Sequence, residues 1–236
     1  MRDDFVNFLR PYGVLDTKVR LGSNNDGGYI VNQTILDKAD VLYTYGVEYN
    51  CDFELDFHNR TSKPVHLYDH TVDFTHPNDN LIFHKEGLSH IKENDKKHFF
   101  DHLKENGDED KNVFLKIDVE GAEYEFFENT NIEELSKNVI GIVLEIHWTG
   151  DVNEYRPRAT KILEKITNHF TLTHLHGNNS APMIGSWWIA VPDTMELTFI
   201  NDRLFEAFHF DRGQWPTELD MPNNPELQDF PLVWIC

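Results

Sequence analysis

The stretch Asn112–Phe127, NVFLKIDVEGAEYEFF, limits what this chain can fold into more than any other. Val113, Phe114, Leu115 and Ile117 form a short apolar run broken only by Lys116. Bounded by polar residues, such a run reads as a strand buried on both faces. It stops abruptly at Asp118, with Glu120, Gly121 and Glu123 close behind. From there the period changes, and Val119, Ala122 and Phe126 recur at helical spacing. Gly121 lets the chain turn tightly between the two elements. The stretch is therefore a strand, a carboxylate-bearing turn and a helix. In open α/β sheets, ligands sit at the carboxyl ends of such strands. Acids gathered there are costly unless something uses them.

A second fully apolar run, Val139–Ile146, delivers Glu145 to the same edge, and His147 follows two residues later on the same side if the strand continues. Asp118, Glu145 and His147 are thus expected to converge. Two roles are open for them. They can bind a hard divalent cation, magnesium or, with histidine among the ligands, manganese. Otherwise His147 is a general base kept basic by a carboxylate. The plainer alternative makes Asp118 a helix cap and Glu145 the partner of a surface cation.

Upstream, Val41–Gly46 and Val65–Asp69 are strand candidates. The acid ending the second lies about 20 residues beyond the first, where a nucleotide ribose needs a carboxylate; a turn aspartate is the competing reading. Leu81–His84 is a further strand, and residues 91–108 have the pattern of a helix burying Phe99, Phe100 and Leu103. Residues 1–12 suggest a short amphipathic helix with Phe5, Val6 and Leu9 inward. Within Val19–Val31, the loop around Asn24, Asn25, Asp26, Gly27 and Gly28 is either a hairpin turn or a ligand loop whose backbone N–H groups approach an anion. Later, Phe170–Leu175, Trp187–Val191 and Glu196–Ile200 are β-rich. The β–α alternation from Val41 to Ile146 implies a mostly parallel sheet. The last two strands, with no room for a helix between them, should be antiparallel.

Composition excludes several function classes. The 236 residues suit one α/β domain spanning 1–236, with a core at about 18–202 and a C-terminal extension, 203–236, that packs over an edge or covers the site. A formal charge of −20 argues against nucleic acid as a partner. No apolar stretch approaches the ~20 residues of a membrane span. MRDDFVNFL lacks signal-peptide character, and two cysteines, Cys51 and Cys236, make no disulfide framework. A cytoplasmic location is the expectation; the oligomeric state is left open.

KIDVEGAE resembles the signature of the FkbM-like family, class I methyltransferases that use S-adenosylmethionine. R-x-G-x-x-x-D-G-G-Y in Arg20–Tyr29, and L-H-G-N-N followed by P-D-x-x-E-L-T-F, resemble segments flanking that core, so the likeness spans about residues 18–202. The resemblance implies a Rossmann-like α/β fold, a seven-stranded sheet with helices on both faces and an antiparallel last pair. It implies transfer of a methyl group to a sugar or glycan hydroxyl. It also implies cofactor contacts from Asp26 and Gly27, from Gly46 in the loop after the first core strand, and from Glu54, which would reach the cofactor's amino group. Asp69 would hold the ribose, Glu86 would border the adenine, and Asp118 would lie beside the methyl group. The loop after Val41–Gly46 has one glycine where the usual pattern has two or three. Two other readings therefore stand: a non-catalytic glycan-binding or assembly protein on a degenerate methyltransferase fold, and a nucleotide-dependent oxidoreductase. The latter lacks G-x-G-x-x-G. For the former, Glu48, Asp52, Glu54 and Asp56 are a solvated acidic helix start favoured by the helix dipole.

Overall fold

The structure, a computed structural model, describes residues 4–76, 78–186, 189–204 and 209–232. Seven strands form the central sheet: β1 (Val41–Tyr45), β2 (Val65–Tyr68), β3 (Leu81–His84), β4 (Val113–Ile117), β5 (Val139–Ile146), β6 (Phe170–Gly177) and β7 (Met195–Asn201). Their order is β6-β7-β5-β4-β1-β2-β3. The five strands from β5 to β3 run parallel, and β7 is antiparallel to both of its neighbours. This is the expected Rossmann-like sheet with its antiparallel pair.

Among the described residues, six α-helices connect or flank the strands: α1 (Gln33–Lys38), α2 (Asp52–Thr61), α3 (Phe99–Asn106), α4 (Ala122–Asn129), α5 (Ile132–Asn138) and α6 (Tyr155–Ile166). Every residue of β1, β2, β4, β5 and β7 is buried, which is why these strands read as continuous apolar runs. The two faces carry separate cores. One joins Phe126, Phe127, Ile162 and Leu163 to the N-terminal 3-10 helix Asp4–Leu9; the other joins Ile35, Phe53 and Phe57 to the sheet.

Several boundaries differ from the sequence reading. The helix expected over 91–108 is confined to Phe99–Asn106. Asn94 takes a left-handed φ of 45° in a tight turn between Glu93 and Lys96, and Lys96–Lys97 then pairs with Gly87–Leu88. The His98 side chain accepts from Phe100 N at 3.3 Å and starts the helix there. Turn chemistry overrides the periodicity upstream of that cap. Trp187 and Trp188, the first two residues of the expected strand Trp187–Val191, lie outside the described residues. On their C-terminal side, Ile189–Pro192 pairs with Met183–Ser186 as a small hairpin separate from the central sheet. Within the sheet the antiparallel strand is β7, paired with both β6 and β5. The Val19–Val31 segment is a hairpin, Lys18–Gly22 against Gly28–Asn32.

The C-terminal segment lies along the β6–β7 edge. Asp220 meets His174 at 2.8 Å, Asp229 meets His176 at 3.1 Å, and Asn223 donates to Glu196 at 2.6 Å. Asn223 also donates to Asp26 at 3.0 Å, tying this segment to the hairpin loop. Within residues 209–232, the extension thus runs along that edge and reaches the hairpin loop at Asp26.

Candidate active site

Parallel strands β1, β4 and β5 end side by side, so the residues just beyond them share one edge. Gly46 follows β1 with φ +81°, and a Cβ there would lie 1.6 Å from the carbonyl oxygen of Asp118. The contact requires glycine at that position.

Asp118 and Glu145, which end neighbouring strands, are bridged by a phenol from the hairpin. The Tyr29 hydroxyl lies 3.1 Å from Asp118 Oδ2 and 3.0 Å from Glu145 Oε2. Asn178 donates to the other oxygen of Glu145 at 3.0 Å. His147 completes the group. Its Nδ1 lies 3.1 Å from Glu123 Oε1, and the same oxygen accepts from the His147 backbone N–H at 3.0 Å. A carboxylate only accepts, so Nδ1 carries the proton and Nε2 is turned towards the acids. Nε2 stands 3.5 Å from Glu120 Oε2, 3.8 Å from Asp118 Oδ1 and 3.8 Å from Glu145 Oε1. The three residues expected to converge are thus together.

Electrostatics at this edge are uneven. Burial, opposed by Lys116 and His147, pushes the Asp118 carboxyl up to about 6. Burial and the neighbouring Asp118 charge hold Glu145 well above the usual carboxylate range. Burial alone would lower His147, but the hydrogen bond and charge of Glu123, with Glu145 and Asp118 beyond, raise it to about 9.

Two cavities open along the same edge. The first, about 280 Å³, is lined by Asp26, Gly27, Glu54, Lys116, Asp118, Glu145 and Asn178, among others. The second, about 300 Å³, is lined by Asp69, His70, Thr71, Gly87 and Leu88, among others. They share Gly46, Glu48 and Glu120. Through these shared residues they form one trough across the ends of β1, β2 and β4, where the switch-point rule for such sheets places ligands.

The trough places the expected cofactor residues unevenly. Asp26, Gly27 and Glu54 line the first cavity, Asp69 lines the second, and Gly46 lines both. Glu54 Oε1 accepts from Thr44 Oγ1 at 2.7 Å and faces Lys116 Nζ at 3.7 Å, whereas buried Oε2 has no partner. Glu54 is only 1% exposed, so it is not a solvated helix-start acid. Asp69 accepts four protein hydrogen bonds, from Val47 N, Glu48 N, Thr71 N and Thr71 Oγ1. These fill its lone-pair sites. A ribose hydroxyl would need Thr71 Oγ1, the one donor on a rotatable bond, to swing away. Glu86 lines neither cavity. Its carboxylate pairs with Lys97 at 2.7 Å and lies 3.3 Å from His102 Nε2.

The donor set for a cation also differs in detail from the sequence reading. Asp118, Glu120 and His147 each offer a ligand atom, all within 4.8 Å of one another. Both oxygens of Glu145 are already engaged, by Tyr29 and Asn178. Glu120, with φ +50°, joins Asp118 and His147 in that set, and Glu145 Oε1 lies 3.8 Å from His147 Nε2. Hard oxygens plus one imidazole suit manganese or magnesium.

Sequence reasoning passes over Lys116, Asn178 and the orienting role of Glu123. Lys116 is visible as the one polar interruption of a buried strand. Asn178 stands in H-G-N-N with nothing nearby to assign it a role.

The sequence matches the family model described as "Methyltransferase FkbM domain" over residues 16–170. No curated protein and no solved structure matches the chain.

Proposed function

Because this chain belongs to the FkbM methyltransferase family, we propose that it transfers the methyl group of S-adenosylmethionine to a hydroxyl of a sugar or glycan. The observation that carries the cofactor half is Glu54 Oε2, a buried and unpartnered acceptor on a residue lining the trough. Leaving such an atom unmatched costs about 1–3 kcal/mol, and an ammonium group of the cofactor would satisfy it. When bound, the cofactor supplies an electrophilic methyl on a sulfonium. The protein's part is alignment and proton removal.

A sugar hydroxyl is a weak nucleophile. As its oxygen bonds to the methyl carbon, the carbon–sulfur bond breaks and the hydroxyl proton must leave. Asp118, or His147 once its Nε2 has lost its proton, would accept that proton; with His147 raised to about 9, Asp118 is the acceptor at neutral pH. Tyr29 and Asn178 hold Glu145, and Glu123 holds the imidazole, so the group is fixed before a substrate arrives. A manganese or magnesium ion held by Asp118, Glu120 and His147 would lower the hydroxyl's pKa there.

Calorimetry tests the first half. S-adenosylmethionine and S-adenosylhomocysteine should both bind, each adding about 2.7 kcal/mol of stability at a hundred times its Kd. Asp69→Ala should weaken both, since it releases the loop at Val47 and Glu48. Absence of binding by either compound would remove the cofactor assignment. Chelation tests the metal. Loss of turnover in chelator with recovery in manganese supports a metal. Unchanged turnover in chelator, with activity lost in His147→Ala, assigns the imidazole as base.

A further inference from the structure

Trp148 is an unusual residue to find partly exposed beside this group. It follows His147 directly, is 38% exposed, and adopts a left-handed φ of +56°. A bulky side chain at such φ is a real outlier, held only where its surroundings over-determine it. Here they do. The benzo edge of the indole lies against Gly121, where a Cβ would come within 2.2 Å of Cζ3 and 2.4 Å of Cη2. Tyr155 packs edge-on at 4.7 Å between ring centroids. The ring is thereby fixed at the rim of the carboxylate turn, next to Glu120, which lines both cavities.

The charge around it restricts what can lie there. The first cavity is lined by Asp26, Glu48, Glu54, Asp118, Glu120 and Glu145, and Lys116, its one lining cation among the described residues, is committed to Glu54. Neither helix start at this edge is open to an anion. α2 carries Asp52 and Glu54 in its first turn, and before α4 the Gly121 N–H donates to Glu123 at 2.7 Å. Within the first cavity a phosphorylated or nucleotide-activated sugar would meet no free cationic donor among the described residues; Lys96 lines only the second cavity. An uncharged pyranose presents hydroxyls, which carboxylates accept, and an apolar C–H face, which an indole covers well.

We propose that Trp148 is the platform on which an uncharged sugar ring stacks, positioning its hydroxyl towards Asp118 and His147. This rests on the reading of the site as a sugar O-methyltransferase. It also sets an order of reactions: the sugar is methylated after a glycosyl transfer has removed its activating phosphate.

The test compares Trp148→Phe, Trp148→Leu and Trp148→Gly on a panel of methyl glycosides of hexoses and deoxyhexoses. Glycine takes φ +56° without strain and controls for the backbone; Phe and Leu share the strain and differ in the ring. Acceptor KM should rise at least tenfold in Leu and Gly but less than threefold in Phe, with the S-adenosylmethionine Kd within twofold throughout. The sugar phosphate and nucleoside diphosphate sugar matching the best glycoside should be turned over at least a hundredfold less well, with or without manganese. The proposal fails if Leu and Gly keep the wild-type KM. It fails if KM and cofactor Kd worsen together in all three, as a purely structural role would produce, or if the phosphorylated acceptors react as well as the glycoside. A wild-type protein inactive on every glycoside overturns the reading of the site itself and this inference with it.

Discussion

Lys116 is the residue that ties the buried core to the site. It sits on β4 opposite Thr44 of β1, and both reach the same oxygen of Glu54. Its amine also lies 5.2 Å from the Tyr29 ring centroid. A buried charge whose partner is removed is strongly destabilising, by about 3–5 kcal/mol, whereas replacing both partners by apolar groups is often neutral. Lys116→Met should therefore cost stability of about that size, measured by urea unfolding. The double variant Lys116→Met, Glu54→Met should recover most of it and still fail to bind S-adenosylmethionine. Recovery of binding in the double variant would show that Glu54 does not serve the cofactor. Glu123 has a comparable place behind His147: fully buried, it accepts from the imidazole, the His147 N–H and the Gly121 N–H. Glu123→Gln keeps the shape but removes the charge. It should lower kcat by about 10²-fold with little change in cofactor Kd, and a kcat near wild type would make Glu123 a packing residue only.

At the scale of elements, the strands are legible in the sequence because both sheet faces are covered, which leaves runs such as VIGIVLEI with no polar alternation to confuse them. The strand-end acids are legible for the same reason, since a carboxylate directly after such a run must lie at the sheet's edge. What escapes is set by contacts distant in sequence. Asn178 meets Glu145 across 33 residues, and Tyr29 reaches the same carboxylate across 116. The C-terminal segment is equally opaque, being held by polar pairs with no periodicity. His176 on β6 links Glu196 on β7, at 3.0 Å, to Asp229 of that segment. Although burial opposes it, hydrogen bonds to Asp229 and Glu196 lift His176 from 6.5 to about 10. The folded value exceeds the unfolded one, so this stabilisation is complete below about pH 6.5 and is lost as pH rises towards 10. The urea midpoint should fall over that window, and fall less in Asp229→Asn. Equal slopes in the two proteins would show that the pair does not anchor the segment.

For the whole molecule, a charge of −20 and an acid-lined trough point the same way. No helix among the described residues is long and apolar enough to cross a membrane. The surface should repel polyanions, so no retention of tRNA or duplex DNA is expected at physiological salt in a filter-binding assay; tight, salt-sensitive binding would contradict that expectation. The central claim is that the strand-end group of Asp118, Glu145 and His147 carries out methyl transfer to a sugar oxygen. Its most direct test is transfer of a labelled methyl group from S-adenosylmethionine to the glycoside panel, run on wild type, Asp118→Asn and His147→Ala with S-adenosylmethionine binding checked in each. The account predicts labelled methyl ether on a glycoside with wild type, and at least a hundredfold less with either variant while the cofactor still binds. Near wild-type transfer by both variants, or labelled product only on nucleic acid, would contradict it.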